Sequence, residues 1–291
     1  MFRTIKQMGA VAKVAARSNL AYPGEVLGRT AFLGVILYIF LKLWQATYSQ
    51  TGSERLGGLT LVQMLWYLTF AEAMYMSTPR LAQQVDEDVR SGSLAVRLLK
   101  PMSYPLYCLS SMLGERIVRF LFNLAIGSLI ALVLVGPVSF SADSASATGL
   151  LPGSFSSAGF SLTGLSLAGF SMVALAVLLA FLLDGIGHLI VGLGAFWLED
   201  TSGLLLIYFR LSMILGGMIL PLELFPDWLR QIVVFLPFPY LIYGPVHLAL
   251  HPDGAEFAGL ALRQLACLFV MSVIAAFIYK RALGRISAHG G

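Results

Sequence analysis

Apolar residues in this chain come in runs of about twenty, the length of helix needed to cross a bilayer, and this blocking limits the fold more than any motif. The first run extends over about Val26–Thr47 and the last over about Phe257–Tyr279. Within hydrocarbon every backbone N–H and C=O must find an internal partner, which leaves helices or closed barrels. The runs lack the two-residue alternation of a barrel strand, so the expected class is an all-α membrane protein. Composition agrees: 58% of the 291 residues are apolar and only 12% charged, and the mean hydropathy is +0.82.

Six spans are expected, over about 26–47, 56–78, 105–135, 167–198, 204–220 and 257–279. Residues 1–24 stand apart as an amphipathic interfacial helix. Placed on a helical wheel, Arg3, Lys6, Lys13 and Arg17 share an arc of about 80°, with Phe2, Ile5, Met8, Ala12 and Ala15 opposite. That pattern suits a helix lying in the headgroup layer of an anionic membrane. No separate apolar core marks a secretory signal here. Tyr22-Pro23-Gly24 then turns the chain into the transmembrane domain, expected over 25–280, with a tail at 281–291.

Three connections differ in character. The stretch at about 80–103 is the most polar of the chain. Residues 136–168 are rich in Ser, Gly, Ala and Phe, contain no Lys or Arg, and repeat AGFS at 158–161 and 168–171. Residues 221–252 are apolar but hold six of the twelve prolines, which suits short re-entrant helices on the outer side rather than a straight span. With six spans, both termini and the 80–103 connection share one side. Of 19 basic residues, 14 fall there, from Arg3 to Arg29, Arg80 to Arg119 and Lys280 to Arg285. Lys42, Arg55, Arg230 and Arg263 fall on the other side and Arg210 within a span, so both termini are expected in the cytoplasm. The basic residues form no solvated patch of the kind nucleic acid requires.

Candidate functional groups are few. In the polar connection Asp86-Glu87-Asp88 precedes Val89-Arg90-Ser91-Gly92, after which Leu94, Leu98 and Leu99 recur at helical spacing. A short charged segment followed by an amphipathic turn can dock on a soluble partner or simply face water. Within the spans, Asp184 and His188 share one face of the fourth, and Arg210 lies roughly 10 Å inside the fifth. Such groups face a partner or a cavity: either Asp184 and Arg210 gate a path, or they form a structural ion pair, or Arg210 snorkels to the interface. Glu115 and Arg119 are an i, i+4 pair near the cytoplasmic surface. His247 and His251 lack the intervening Glu of H-E-x-x-H and a third ligand, and read as surface histidines. No lysine follows the glycines of a G-x-x-x-x-G-K-S/T loop, so this chain carries no phosphate cradle of its own.

The run DEDVRSGSLAVRLLKPMSYPLY, followed by GERIVRFLFN, resembles the stretch joining spans two and three in bacterial type-2 ATP-binding-cassette (ABC) exporter permeases, of the form D-I/V-R-x-G followed by L-L/I-K/R-P. PLELFPDWLRQIVVFLPFPYLIYGP is similar to the outer re-entrant region of that family. The likeness covers almost the whole chain; the long 139–166 connection departs from it. It implies a non-enzymatic permease pairing with a second, identical or sister, permease in a bacterial inner membrane. It further implies two ATPase subunits, carrying ATP and Mg, docked on a coupling helix at Asp86, Glu87, Asp88, Val89, Arg90, Ser91 and Gly92. The chain itself would bind no cofactor and no metal. A competing class is a secondary transporter driven by an ion gradient, for which Asp184 is the best support, although the two halves show no internal repeat.

Overall fold

The computed structural model describes residues 2–19, 23–99, 101–137 and 167–289. Those residues form eleven α-helices joined by short 3-10 turns, with no strand among them. Most of the 136–168 connection therefore lies outside the described residues.

Helix α1 is Phe2–Asn19 and α2 is Pro23–Thr51. Pro23 is suited to a helical start because the first helical N–H has no partner to lose. Four helices are long and apolar enough to cross a membrane: Ala31–Thr51 within α2, Tyr104–Val135 (α6), Leu167–Phe196 (α7 and the turn after it) and Gly254–Gly284 within α11. The expected second and fifth spans correspond to shorter helices, α3 (Leu61–Met76, 16 residues) and α8 (Ser202–Leu215, 14 residues). At 1.5 Å per residue these are about 24 and 21 Å long, against a hydrocarbon core of about 30 Å.

Both are cut short by local chemistry. A capping box between Thr60 and Gln63 starts α3, satisfying two otherwise unpaired amides. Pro79 follows its end. Helix α8 was expected to run to Leu220 but stops at Gly216-Gly217, where Gly217 takes φ +73°. Tyr67, in the middle of α3, donates its hydroxyl to the Gly217 carbonyl just past the end of α8 and so ties the two short helices together.

Between α3 and α6 lie α4 (Leu81–Arg90) and α5 (Ser93–Leu98). After α8 the proline-rich stretch forms two short helices, α9 (Asp227–Val233) and α10 (Tyr243–Leu250), with single turns at Leu222–Leu224 and Phe238–Tyr240. Helix α11 runs Gly254–His289, so the final helix continues through most of the expected tail.

The packing centres on α7, which touches α4, α6, α8, α10 and α11. Helix association within lipid depends on close approach more than on removing apolar surface from water, and small residues supply it. A side chain at Gly192 of α7 would bring a Cβ within 2.7 Å of Val85 and 2.8 Å of the Ala82 carbonyl on α4. At Gly114 of α6 a Cβ would meet the backbone of Ala12, so α1 lies directly on α6. Helix α11, by contrast, exposes Leu262, Phe269, Val273 and Phe277 along its length, as a helix facing acyl chains does.

Candidate functional site

The polar connection after α3 folds as a helix–turn–helix, α4 to α5. Leu81, Ala82 and Val85 bury one face of α4 against α7, leaving Gln83 and Glu87 exposed. Gly92, at φ +70°, makes the turn in the left-handed region that glycine occupies without a Cβ clash.

The three acidic residues there have separate fates. Asp88 is only 4% exposed and accepts hydrogen bonds from the Tyr104 hydroxyl (2.8 Å) and the Ser93 hydroxyl (2.9 Å), with Arg97 at 3.0 Å. It joins the end of α4 to α5 and to the first residue of α6. Asp86 pairs with Arg90 at 2.9 Å and accepts from the Thr201 hydroxyl at 2.8 Å, holding α4 against the start of α8. Arg90 also reaches Asp200 at 3.5 Å. The Ser202 hydroxyl and amide both donate to Asp200 and hold its carboxyl below the usual carboxylate range, with Arg90 adding to the effect.

Only Glu87 of the three carboxylates is free to face a partner. With it on the open surface stand Arg90, Ser91 and Gly92, while Val89 is half-buried. The same surface carries two apolar residues outside the 86–92 segment, Val96 (67% exposed) and Leu99 (86% exposed), beside exposed Ala95. Spacing alone does not single them out: Leu94, in the same leucine pattern, is buried. The signal that finds them is a short helix whose apolar residues exceed what one inward face can hold.

A second cluster lies inside the helix bundle. Asp184 of α7 accepts from Arg116 Nη1 at 2.6 Å and from the Tyr208 hydroxyl at 2.8 Å. His188 Nδ1 stands 3.4 Å from the same carboxylate. Arg116 and Asp184 are 4% and 5% exposed, and the guanidinium stacks over Phe181 at 4.3 Å. Asp184 therefore does not pair with Arg210. Its partner is Arg116 of the adjacent α6, whereas Arg210 projects from the exposed side of α8. Of the alternatives the sequence leaves open, neither a gate nor an ion pair between Asp184 and Arg210 is formed; Asp184 instead makes a buried ion pair linking α6 and α7, with α8 attached through Tyr208. Glu115 and Arg119 of α6 form the expected ion pair, on the wall of a cavity of about 160 Å³ shared with Arg80, Gln84 and Ser111.

On the proline-rich side, His247 of α10 is engaged rather than loose on the surface. Nδ1 meets Glu256 of α11 at 2.5 Å and Nε2 faces Glu223 at 3.7 Å. Partial burial and the adjacent His247 push the pKa of His251 below the usual histidine value. Among the described residues no three His, Cys, Asp or Glu are arranged to hold a metal ion. A cavity of about 860 Å³ lies between α3, α6, α7 and α10 and is lined almost wholly by apolar side chains such as Phe70, Phe120, Leu124 and Val177.

A protein-family model described as ABC-2 family transporter protein matches residues 33–290. No curated protein matches the chain.

Proposed function

The chain belongs to the ABC-2 transporter family, and from that premise we propose that it is the permease of a bacterial inner-membrane ABC exporter. In this reading it forms the translocation path with a second permease. The family makes it a multi-pass transport subunit that associates with an ABC ATPase, which favours an ATP-driven machine over one driven by an ion gradient. ATP and Mg would sit on that partner.

The observation that carries the reading is the α4–α5 turn. Its acids are divided between internal bracing (Asp86, Asp88) and display (Glu87), and its tip offers Arg90, Ser91 and Gly92 beside Val96 and Leu99. A braced turn with an apolar centre and a charged rim is built to transmit force to a protein partner. Bracing reaches α6 through Tyr104 and α8 through Thr201, so displacement of the turn moves two helices of the bundle together.

Six spans are retained, with α3 and α8 crossing as short helices completed by flanking non-helical residues. Both termini then lie in the cytoplasm with the α4–α5 turn, as the distribution of basic residues favours. The basic side chains of Lys6, Lys13 and Arg17 are exposed on α1, in keeping with an interfacial helix, and α9 and α10 make the outer re-entrant region.

The test is co-expression with the partner ABC ATPase that the family implies. Val96→Asp together with Leu99→Asp is expected to abolish co-purification of the ATPase while leaving membrane insertion intact. Unchanged co-purification would refute docking at this turn.

A further inference from the structure

Arg210 is the charge that neither the α4–α5 turn nor the buried cluster accounts for. It stands eight residues into α8, about 12 Å from the first helical residue. One turn either way stand Leu206, Ile207, Met213 and Ile214, all apolar, with Leu206, Ile207 and Ile214 exposed and Met213 half-buried. Behind it Tyr75 of α3 lies within electrostatic reach, edge-to-face with Phe209.

No carboxylate among the described residues is available to it. Asp184 is held by Arg116 and Glu115 by Arg119. Glu72 is buried within α3. The exposed acids, such as Glu54, Glu87 and Asp253, lie on polar turns and short helices between the apolar ones. A second copy packed on α8 brings the same inventory, with Glu72 and Asp184 buried inside its own bundle. A guanidinium cannot shed its proton to escape the cost of an apolar setting. Among the described residues, then, none offers an exposed acid beside it.

We propose that Arg210 is a binding site for the oxyanion, carboxylate or phosphate, of an amphiphilic molecule whose apolar body lies along Leu206, Ile207 and Ile214. The chemistry is that of a planar fork matching two oxygens of one acidic group, set within a surface that accepts only hydrocarbon. On the permease reading, on which this substrate class rests, α8 borders the path and the cargo is an anionic amphiphile. The same chemistry is offered by the phosphate of a membrane lipid, and the two sources are separable.

The experiment uses the purified full chain in maltoside micelles, which carry no phosphate, and then in lipid nanodiscs; it needs no ATPase, so it stands or falls apart from the docking claim. Binding of pyrenebutyrate is compared with that of its neutral analogue pyrenebutanol by fluorescence anisotropy. The wild type is expected to prefer the anion by about tenfold or more, with the preference lost in Arg210→Gln and partly kept in Arg210→Lys. Repetition in discs containing phosphatidylglycerol identifies the source. Undiminished probe binding assigns the site to cargo, and displacement of the probe assigns it to lipid headgroups. Equal binding of acid and alcohol by the wild type overturns the proposal, and that comparison holds even if Arg210→Gln fails to fold. An anion preference that persists unchanged in a folded Arg210→Gln protein overturns it as well.

Discussion

At Arg116 and Asp184 two full charges are held where neither touches water, and each is tolerated only because the other is there. Removing one leaves its partner buried and uncompensated, which costs about 3–5 kcal/mol, while removing both together costs far less. Arg116→Gln or Asp184→Asn alone is therefore expected to lower the thermal unfolding midpoint of the purified protein sharply, and the double variant to recover most of the loss. Losses of the two single variants that simply add in the double variant would show that the two charges do not depend on each other. In the α4–α5 turn the same reasoning separates neighbouring residues. Asp88→Asn, which leaves Arg97 without a charged partner, is expected to destabilise the protein, whereas Glu87→Gln, altering an exposed group, is expected to leave the midpoint within about 0.5 kcal/mol of wild type. Both are read by thermal unfolding in the same detergent.

At the scale of elements, the helical character of the chain was legible because hydrocarbon permits so few structures, and the amphipathic face of α1, the polar break after α3 and the proline-broken stretch before α11 each follow from residue types in order. The lengths of α3 and α8 were less legible. Hydropathy runs past Gly216 without a break, and the end of α8 is decided by a left-handed glycine and by the Tyr67 hydroxyl arriving from another helix. Pairing was hidden for the same reason. Arg116 counts as one more basic residue near the cytoplasmic side until α6 and α7 are packed, and Asp88 cannot be told from Glu87 until Tyr104 is placed beside it. The short outer helices carry a pH dependence of their own. The pKa of His251 is depressed by burial and by His247, so its contribution to stability is complete above the ordinary histidine value of 6.5 and is lost as pH falls below that through the depressed value. Hydrogen exchange of α10 is expected to quicken on acidification across that window, and His251→Gln to reduce the change. An unaltered pH response in that variant would assign the effect to His247 and its two carboxylates instead.

For the whole molecule, family membership, the braced turn and the bundle centred on α7 are the grounds of the proposed reading, a passive path worked from the cytoplasmic side. The turn is tied to α6 and α8, α8 is tied through Tyr208 to Asp184, and Asp184 is tied to α6 again through Arg116. On the proposed reading a push on the turn is passed through these ties to helices bordering the path, and the exposed faces of α2 and α11 are left for a second permease and for lipid. The most direct measurement is uptake of a labelled anionic amphiphile into inside-out proteoliposomes holding this chain and its ABC ATPase, with and without Mg-ATP. Uptake that requires both the ATPase and hydrolysable ATP, and that is lost with Val96→Asp and Leu99→Asp, is the predicted result. Uptake by this chain alone on a proton or sodium gradient, indifferent to the ATPase, would contradict the account.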